Sequence, residues 1–235
     1  MVRLESLEPA ALDVPGVSGW TTTRETGSFG FGSSESVKTV FDRWTALQTA
    51  LRERGLSRLA CASQVHGATI ATHHGDWHGW LRLPDVDGHV TMTRGTAMAV
   101  TIADCTPVFI AHPDGAAAVL HAGWRGTAAN ILEAGLEQLA QLGFAPHRAH
   151  VHLGPSICER CYEVGPEVLT AIHGHPHKGK GFLDVRAVLA RQAVALGVAE
   201  VTTTPMCTRH NNDRFFSHRA GDEGRQLGVI GLLPV

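Results

Sequence analysis

Short apolar runs and longer amphipathic segments alternate along this chain, and the two patterns predict different secondary structure. Residues 98–104, 107–112 and 116–121 are apolar but too short for helices, so they indicate buried strands. The PDG sequence at 113–115 is a turn signal, so the second and third of these strands are expected to form a hairpin. Two further strands are predicted at 58–65 and 149–154.

Three longer segments, 36–55, 131–143 and 185–197, have the 3.6-residue periodicity of amphipathic helices. The stripe in the first of them consists of Val37, Val40, Phe41, Trp44, Leu47 and Leu51. Hairpins mixed with flanking helices predict an α+β fold with mixed β-sheets rather than a regular doubly wound fold. No internal repeat or linker divides the sequence, so residues 1–235 are expected to form a single domain.

Composition narrows the class of protein. With 235 residues, 43% hydrophobic and 18% charged, the chain can bury a substantial core. No window approaches the run of about 18 apolar residues that a membrane helix needs, and the N-terminus lacks a signal-peptide pattern, so we expect a cytoplasmic protein that does not contact membranes. The net charge of −2 gives no electrostatic reason to bind nucleic acid, so small molecules are the expected partners.

The cysteines and histidines are the residues with metal-binding chemistry. Five cysteines, an odd number without an export signal, argue for reduced thiols or metal ligands rather than disulfides. The Cys158-x-x-Cys161 pair lacks a second CxxC and is interpreted as two reduced thiols. Many of the fifteen histidines fall in the polar segments 72–80 and 173–181, which we interpret as solvated loops.

Three potential ligands each stand at the end of a predicted strand: His66 in SQVHG, Cys105 in TIADC and His121 in VLHAG. One cysteine and two histidines suit zinc and leave its fourth position open, which is the catalytic arrangement. The predicted hairpin brings the approaches to Cys105 and His121 onto neighbouring strands. Three alternatives stay open: hydrogen-bonded core residues, a Cys-His nucleophile pair, and copper with an axial methionine, which ranks last.

Seven short motifs together resemble the laccase-domain family. They are TTR (22–24), QVHG (64–67), TIADCTPV (101–108), HAGWRG (121–126), GPSICERCYEVG (154–165), MCT (206–208) and FFSHR (215–219). Members of that family were named bacterial polyphenol oxidases and are now regarded as purine nucleoside phosphorylases. The resemblance runs from about residue 20 to residue 230, and HAGWRG together with ADC is highly specific.

The resemblance implies a fold, a metal and an activity. The fold is a four-layer α/β/β/α sandwich similar to the catalytic domain of cytotoxic necrotizing factor. Zinc is held by the motif's two histidines and one cysteine, which correspond to His66, Cys105 and His121. The activity is phosphorolysis of adenosine, inosine and methylthioadenosine, with adenosine deamination in addition. One departure is Gly30 in SFGFG, where the family usually has asparagine.

The residues after His121 suggest a binding site for anions. Arg125 stands between Gly123 and Gly126 at a predicted helix start, where a guanidinium and free backbone N–H groups suit phosphate. A surface ion pair is the alternative for this arginine. Trp124 is a candidate for stacking on a purine, with capping of the core as the alternative.

Three further residues complete the candidate site. Arg24, in the glycine-rich N-terminal loop, is a second candidate for phosphate or ribose. Asp104 adjoins Cys105 and could be a general base or the partner of a ligating histidine. Gln64, in the QVHG motif, is assigned to substrate binding.

The leading hypothesis is a zinc-dependent purine nucleoside phosphorylase with adenosine deaminase side activity. Four alternatives use the same residues. They are a Cys-His hydrolase, an editing factor for peptidoglycan precursors as proposed for some relatives, a copper-dependent polyphenol oxidase of the laccase type, and a non-enzymatic, metal-dependent interaction module.

Overall fold

Two six-stranded mixed sheets, packed face to face, form the centre of the molecule. The computed structural model describes residues 7–234. The strands in this part of the chain are β1 (Glu8–Pro9), β2 (Val17–Thr21), β3 (Arg58–Ala62), β4 (Ile70–His73), β5 (Gly79–Leu83), β6 (Gly88–Thr91), β7 (Thr96–Ile102), β8 (Thr106–His112), β9 (Ala116–Ala122), β10 (His150–Leu153), β11 (Glu163–Val164), β12 (Gly181–Phe182), β13 (Glu200–Thr203) and β14 (Gln226–Leu232). The α-helices are α1 (Val37–Arg52), α2 (Trp124–Ala128), α3 (Ile131–Gln141), α4 (Pro166–His173) and α5 (Val185–Ala195).

Each large sheet combines parallel and antiparallel pairs. The first sheet has the order β1-β2-β14-β7-β3-β5, with β3 parallel to β5 and β7. The second has the order β13-β10-β8-β9-β6-β4, with β10 parallel to β13 and β4 parallel to β6. β11 and β12 form a separate two-stranded ribbon. The expectation of an α+β fold with mixed sheets is therefore confirmed.

The buried side chains define four layers. Helix α1 packs its Trp44 and Leu47 on the outer face of the first sheet. Between the sheets, residues of the first sheet such as Met98 meet Phe109 and Val119 of the second, and all three are fully buried. Helices α3 and α5 cover the other face of the second sheet. Each fully buried large apolar side chain contributes about 1.5–3 kcal/mol to folding, so this layering carries most of the stability.

The three helices predicted from periodicity are α1, α3 and α5, and their ends differ from the predicted ends by a few residues. Ser36 begins α1, where its side chain accepts a hydrogen bond from the Thr39 amide. The predicted stripe of α1 is wider than the observed one, because Val37 and Phe41 remain 66% and 51% exposed. Phe41 lies at the rim of the packed face, with its ring 5.5 Å from that of Trp80.

The five predicted strands are present as β3, β7, β8, β9 and β10. β8 and β9 form the expected hairpin, with Pro107 opposite His121. The strand predicted over 98–104 ends at Ile102, because Asp104 takes a left-handed backbone conformation with φ 83°. No helix within residues 7–234 has the length and apolar character to cross a membrane.

Three connections pass from the first sheet to the second, and two of them carry His66 and Cys105. Residues 63–69 lead from β3 to β4, and residues 103–105 lead from β7 to β8. The sheets approach closely beside them, since a Cβ added to Gly228 would lie 2.7 Å from Pro107 Cβ. Gly228 is therefore required by the close approach of the sheets, whereas Gly154, whose added Cβ would lie 2.8 Å from Pro107 Cγ, is required by contact within the second sheet.

Candidate functional site

The structure brings His66, Cys105 and His121 together at one point. One ligand atom from each residue lies within 4.8 Å of the others. The two imidazole rings meet edge to face, with centroids 4.7 Å apart. His66 lies on the connection from β3 to β4, Cys105 on the connection from β7 to β8, and His121 on β9. His121 is buried and His66 is exposed, so the cluster reaches from the interior to the surface.

The local backbone is adapted to this cluster. His66 has φ 61°, in the left-handed region that histidine, asparagine and aspartate adopt more readily than most side chains. A Cβ on Gly123 would lie 2.9 Å from Cys105 Sγ and 3.2 Å from His66 Cδ2. The glycine directly before Trp124 in HAGWRG is therefore required by the space that the cluster occupies.

A buried carboxylate, Asp87, holds two of the three residues in place. Its Oδ1 accepts hydrogen bonds from the His66 amide and from His121 Nδ1, each at 2.9 Å. Its Oδ2 accepts from the amides of Val65 at 3.1 Å and Gly67 at 2.7 Å. Because Nδ1 of His121 is engaged, Nε2 is the nitrogen left to bind a ligand. Sequence reasoning missed Asp87, since DVDG carries only the signal of a turn.

Charges within the cluster favour a thiolate. Burial raises the pKa of Cys105, but the neighbouring His121 and His66 imidazoles outweigh it and bring the value to about 6. Burial lowers the pKa of His121, whereas the Cys105 thiolate and the Asp87 carboxylate raise it to about 9. Without metal, Cys105 and His121 therefore form a thiolate–imidazolium pair between about pH 6 and pH 9. A thiolate is the form of cysteine that binds metal or acts as a nucleophile.

A cavity of about 670 Å³ opens beside the cluster, within the size range of small-molecule sites. Its wall includes all three clustered residues and is rich in cationic and aromatic side chains. The arginines are Arg82, Arg125, Arg219 and Arg225, and the aromatic residues are Phe29, Phe31, Trp44, Trp124 and Tyr162. Such a wall suits a planar, anionic or phosphate-bearing ligand.

Arg125 and Trp124 both lie on the cavity wall. The Arg125 guanidinium lies 4.3 Å from the centroid of the Trp124 ring, at cation–π distance. Helix α2 begins at Trp124, two residues before the predicted start at Gly126. No carboxylate within residues 7–234 forms an ion pair with Arg125, so the alternative of a surface ion pair is not observed there.

Asp104 and Gln64 line the cavity with their polar groups already bonded. Asp104 accepts hydrogen bonds from the Thr208 hydroxyl at 2.6 Å and from the Arg219 amide at 2.8 Å. The histidine contact suggested for Asp104 is made by Asp87 instead. The Gln64 amide group bonds to the backbone of Thr101 through both its oxygen and its nitrogen.

Arg24 does not lie on the cavity wall. Its guanidinium pairs with Asp222, donates to the carbonyls of Asn212 and Phe215, and stacks 4.5 Å above the Phe216 ring. These contacts fix the N-terminal loop to the segment 212–222. The phosphate or ribose role of Arg24 stays a prediction.

Several residues of the wall were not assigned from the sequence. Arg219 occurs in the FFSHR motif, and its guanidinium lies 4.8 Å from the Tyr162 ring. A Cβ on Gly30 would lie 2.8 Å from Arg225 Cγ, so Arg225 fills the space beside this glycine. The FFSHR motif was the signal in the sequence that could have pointed to Arg219. Its position on the cavity wall depends on the tertiary fold, which the sequence does not show.

A sequence model of the family described as multi-copper polyphenol oxidoreductase laccase matches residues 16–233. The chain belongs to this family.

Two curated relatives and one solved structure illustrate its neighbours. The chain is 36% identical over 195 residues to purine nucleoside phosphorylase ORF3 of Streptomyces griseus, covering 79% of each protein. It is 30% identical over 260 residues to adenosine deaminase RL5 from an unknown prokaryotic organism, covering 97% of this chain and 95% of that protein. The crystal structure of YlmD from Geobacillus stearothermophilus superposes with a TM-score of 0.85 at 28% identity, covering 94% of this chain and 93% of that one.

Proposed function

We propose that the protein is a zinc-dependent purine nucleoside phosphorylase. It cleaves adenosine, inosine and methylthioadenosine with phosphate, releasing the free base and ribose 1-phosphate or methylthioribose 1-phosphate, and it deaminates adenosine as a side activity. The observation that carries the proposal is the cluster of His66, Cys105 and His121 opening on an arginine-rich cavity. The names of the relatives, phosphorylases and one deaminase, support both activities.

The donor set fits zinc. Cys105 is largely a thiolate at neutral pH, since its pKa is about 6, and His121 presents Nε2 because Asp87 engages Nδ1. Three protein ligands would leave one coordination position free. A zinc ion held by His66, Cys105 and His121 would supply Lewis acidity at the edge of the cavity. Asp87 keeps the tautomer and orientation of His121 fixed.

The wall residues bind and orient the substrates. Arg125, which has no carboxylate partner within the described residues, binds phosphate through its guanidinium fork. Trp124 stacks on the purine, with Arg125 behind it. Asp104, the one carboxylate on the cavity wall among residues 7–234, exchanges protons with the purine base of the substrate.

Substitution of Arg125 tests the phosphate assignment. We expect Arg125→Ala to raise the KM for phosphate in inosine cleavage about 10–100-fold, because the loss of one hydrogen bond to a charged group costs about 1.5–3 kcal/mol. Arg125→Lys keeps the charge but loses the fork and is expected to be intermediate. Adenosine deamination consumes water rather than phosphate, so it should remain nearly intact. Arg148→Ala, remote from the wall, is the matched control. A parallel loss of both activities with an unchanged phosphate KM would contradict the assignment.

A Cys-His hydrolase is the second candidate, and one observation favours it. The His121 imidazole contacts the Asp87 carboxylate on one side and the Cys105 thiolate on the other. This is the arrangement of an orienting carboxylate, a base and a thiolate nucleophile. Zinc analysis of the purified protein separates the two functions, because a thiolate bound to zinc is not a free nucleophile. Full activity on an amide substrate in zinc-free protein would favour the hydrolase.

A further inference from the structure

A second cluster of metal-binding side chains lies apart from the His66 cluster. Cys158, Cys161, Cys207 and His210 place one ligand atom each within 4.8 Å of the others. The Cys161 sulfur is 3.3 Å from His210 Nε2, and the Cys158 sulfur is 3.6 Å from His210 Nδ1. All three cysteines are free thiols, as expected for Cys158 and Cys161 from the sequence.

The cluster consists of two pairs with the same spacing. Cys158-x-x-Cys161 lies on the segment after β10, and Cys207-x-x-His210 lies on the segment after β13. The pair at 158 looks isolated in the sequence because its partner ends in histidine rather than cysteine. A backbone bridge between Ser156 and Cys207 aligns the two segments, and the Cys158 amide donates to the Cys207 sulfur at 3.3 Å.

The donor set indicates which ligand fits. Three sulfurs and one imidazole nitrogen form a Cys₃His set, which is typical of structural zinc sites. In a tetrahedral complex with Zn–S bonds of about 2.3 Å, neighbouring sulfurs lie about 3.8 Å apart. This distance is compatible with the 4.8 Å within which all four ligand atoms lie. Cys161 and Cys207 are buried whereas His210 is exposed, so the ion would reach the site from the solvent side.

We propose that Cys158, Cys161, Cys207 and His210 bind a second zinc ion, distinct from the one at the His66 cluster. The three thiols lose their protons to solvent as the ion binds. Four protein ligands close the coordination shell, so this ion has a structural rather than a catalytic role.

The two joined segments also form part of the cavity wall. Ile157 and Tyr162, beside the first pair, line the cavity. The Ile157 amide donates to the Asp104 carbonyl at 3.0 Å, and the Thr208 hydroxyl donates to the Asp104 carboxylate. The second zinc thus holds both segments against the residue that precedes Cys105.

Zinc content of the full-length protein tests the proposal. We expect about two zinc ions per chain in the wild type after dialysis against a weak chelator, and about one in Cys161→Ser and in His210→Ala. His210→Ala removes an exposed side chain and leaves no internal cavity, so it remains informative if the cysteine variant does not fold. Cys61→Ser and His147→Ala, which change residues outside both clusters, should keep the wild-type content.

Two further measurements distinguish zinc bound at this second cluster from zinc bound at the His66 cluster or in the histidine-rich loop. Cobalt substituted into His66→Ala protein should give the strong thiolate charge-transfer absorption of a three-sulfur site, whereas the His66 cluster contains a single sulfur. His175→Ala controls for the loop in which the rings of His173, His175 and His177 stack with centroids 4.7–5.9 Å apart. It should not alter the zinc content.

The outcomes distinguish this proposal from the proposed function. Loss of zinc in Cys161→Ser but not in His66→Ala would support zinc binding at the second cluster and contradict zinc binding at the His66 cluster. Zinc content unchanged by both Cys161→Ser and His210→Ala would overturn the second site. A disulfide between Cys158 and Cys161 in protein purified with a reductant, found by mass spectrometry, would overturn it as well.

Discussion

Replacement of Asp87 by asparagine tests the construction of the His66 cluster most directly. The carboxylate is fully buried, and its pKa is lowered because the His121 and backbone hydrogen bonds outweigh burial, so it carries a negative charge at neutral pH. Asparagine has the same shape but one acceptor oxygen, and its NH₂ group would face N–H donors. Two of the four hydrogen bonds at Asp87 are therefore lost.

The size of the effect follows from those two bonds. Each hydrogen bond to a charged acceptor is worth about 1.5–3 kcal/mol, so Asp87→Asn should lower the free energy of unfolding by about 3–6 kcal/mol. Loss of a carboxylate behind a ligating histidine typically weakens metal binding about 10–100-fold, or about 1.4–2.8 kcal/mol. Zinc affinity should fall by that factor because His121 is no longer held in one tautomer.

The assay combines urea unfolding of zinc-free protein with a zinc competition titration against a chromophoric chelator. Asp85→Asn is the matched control, since Asp85 is exposed and its φ of 52° suits asparagine equally well. We expect the control to behave as the wild type in both measurements. Wild-type zinc affinity and wild-type stability in Asp87→Asn would refute the role assigned to Asp87.

Three more predictions concern the packing at Gly123, the ionisation of Cys105, and the buried histidines His73 and His89. Gly123→Ala should weaken zinc binding about tenfold in the competition titration, because its Cβ would meet Cys105 Sγ at 2.9 Å; unchanged affinity would contradict the packing argument. In zinc-free protein the rate of alkylation of Cys105 should rise with a midpoint near pH 6, since the thiolate forms above its pKa; a midpoint near pH 9 would show that the imidazoles do not act on it. Burial lowers the pKa of His73 to about 4 and of His89 to about 3, so below pH 6.5 the unfolded chain binds protons that the folded chain does not. Stability should therefore fall by about 1.4 kcal/mol per pH unit for each of these histidines between pH 6.5 and pH 4, and His89→Asn should flatten that dependence in urea titrations.

Local patterns predicted the elements but not their arrangement. Helix α1 is evident from a stripe of apolar residues ending at Leu51, and the β8–β9 hairpin from a turn sequence between two apolar runs. The pairing of β14 with β7 and β2 joins residues more than a hundred positions apart, and no local pattern encodes it. The interpretation of 72–80 as a solvated loop was wrong in part, because β4 ends and β5 begins within this segment and His73 is buried. Strands of four or five mixed residues, such as β5 and β13, do not establish a period.

The candidate site shows the same division. The sequence identifies His66, Cys105 and His121 as potential metal ligands, because each stands at the end of a predicted strand and has a ligand atom. That these three side chains lie close together depends on the tertiary fold. Asp87 could not be selected, since a buried carboxylate and a turn aspartate look alike in a sequence. For Arg24 the sequence shows a charge but not the pairing with Asp222, which lies 198 positions away.

Two of the connections between the sheets carry His66 and Cys105, so the geometry of the His66 cluster depends on the spacing of the sheets. His66 and Cys105 lie on segments that connect the two sheets, whereas His121 lies on β9 of the second sheet. The distances between the three ligand residues therefore depend on the distance between the sheets. Metal sites tolerate deviations of only about 0.2 Å in bond length. Gly228 permits the close approach of the two sheets at Pro107, although it lies outside the cluster. A mutational survey scored by metal affinity alone should therefore recover this interior glycine along with His66, Cys105 and His121.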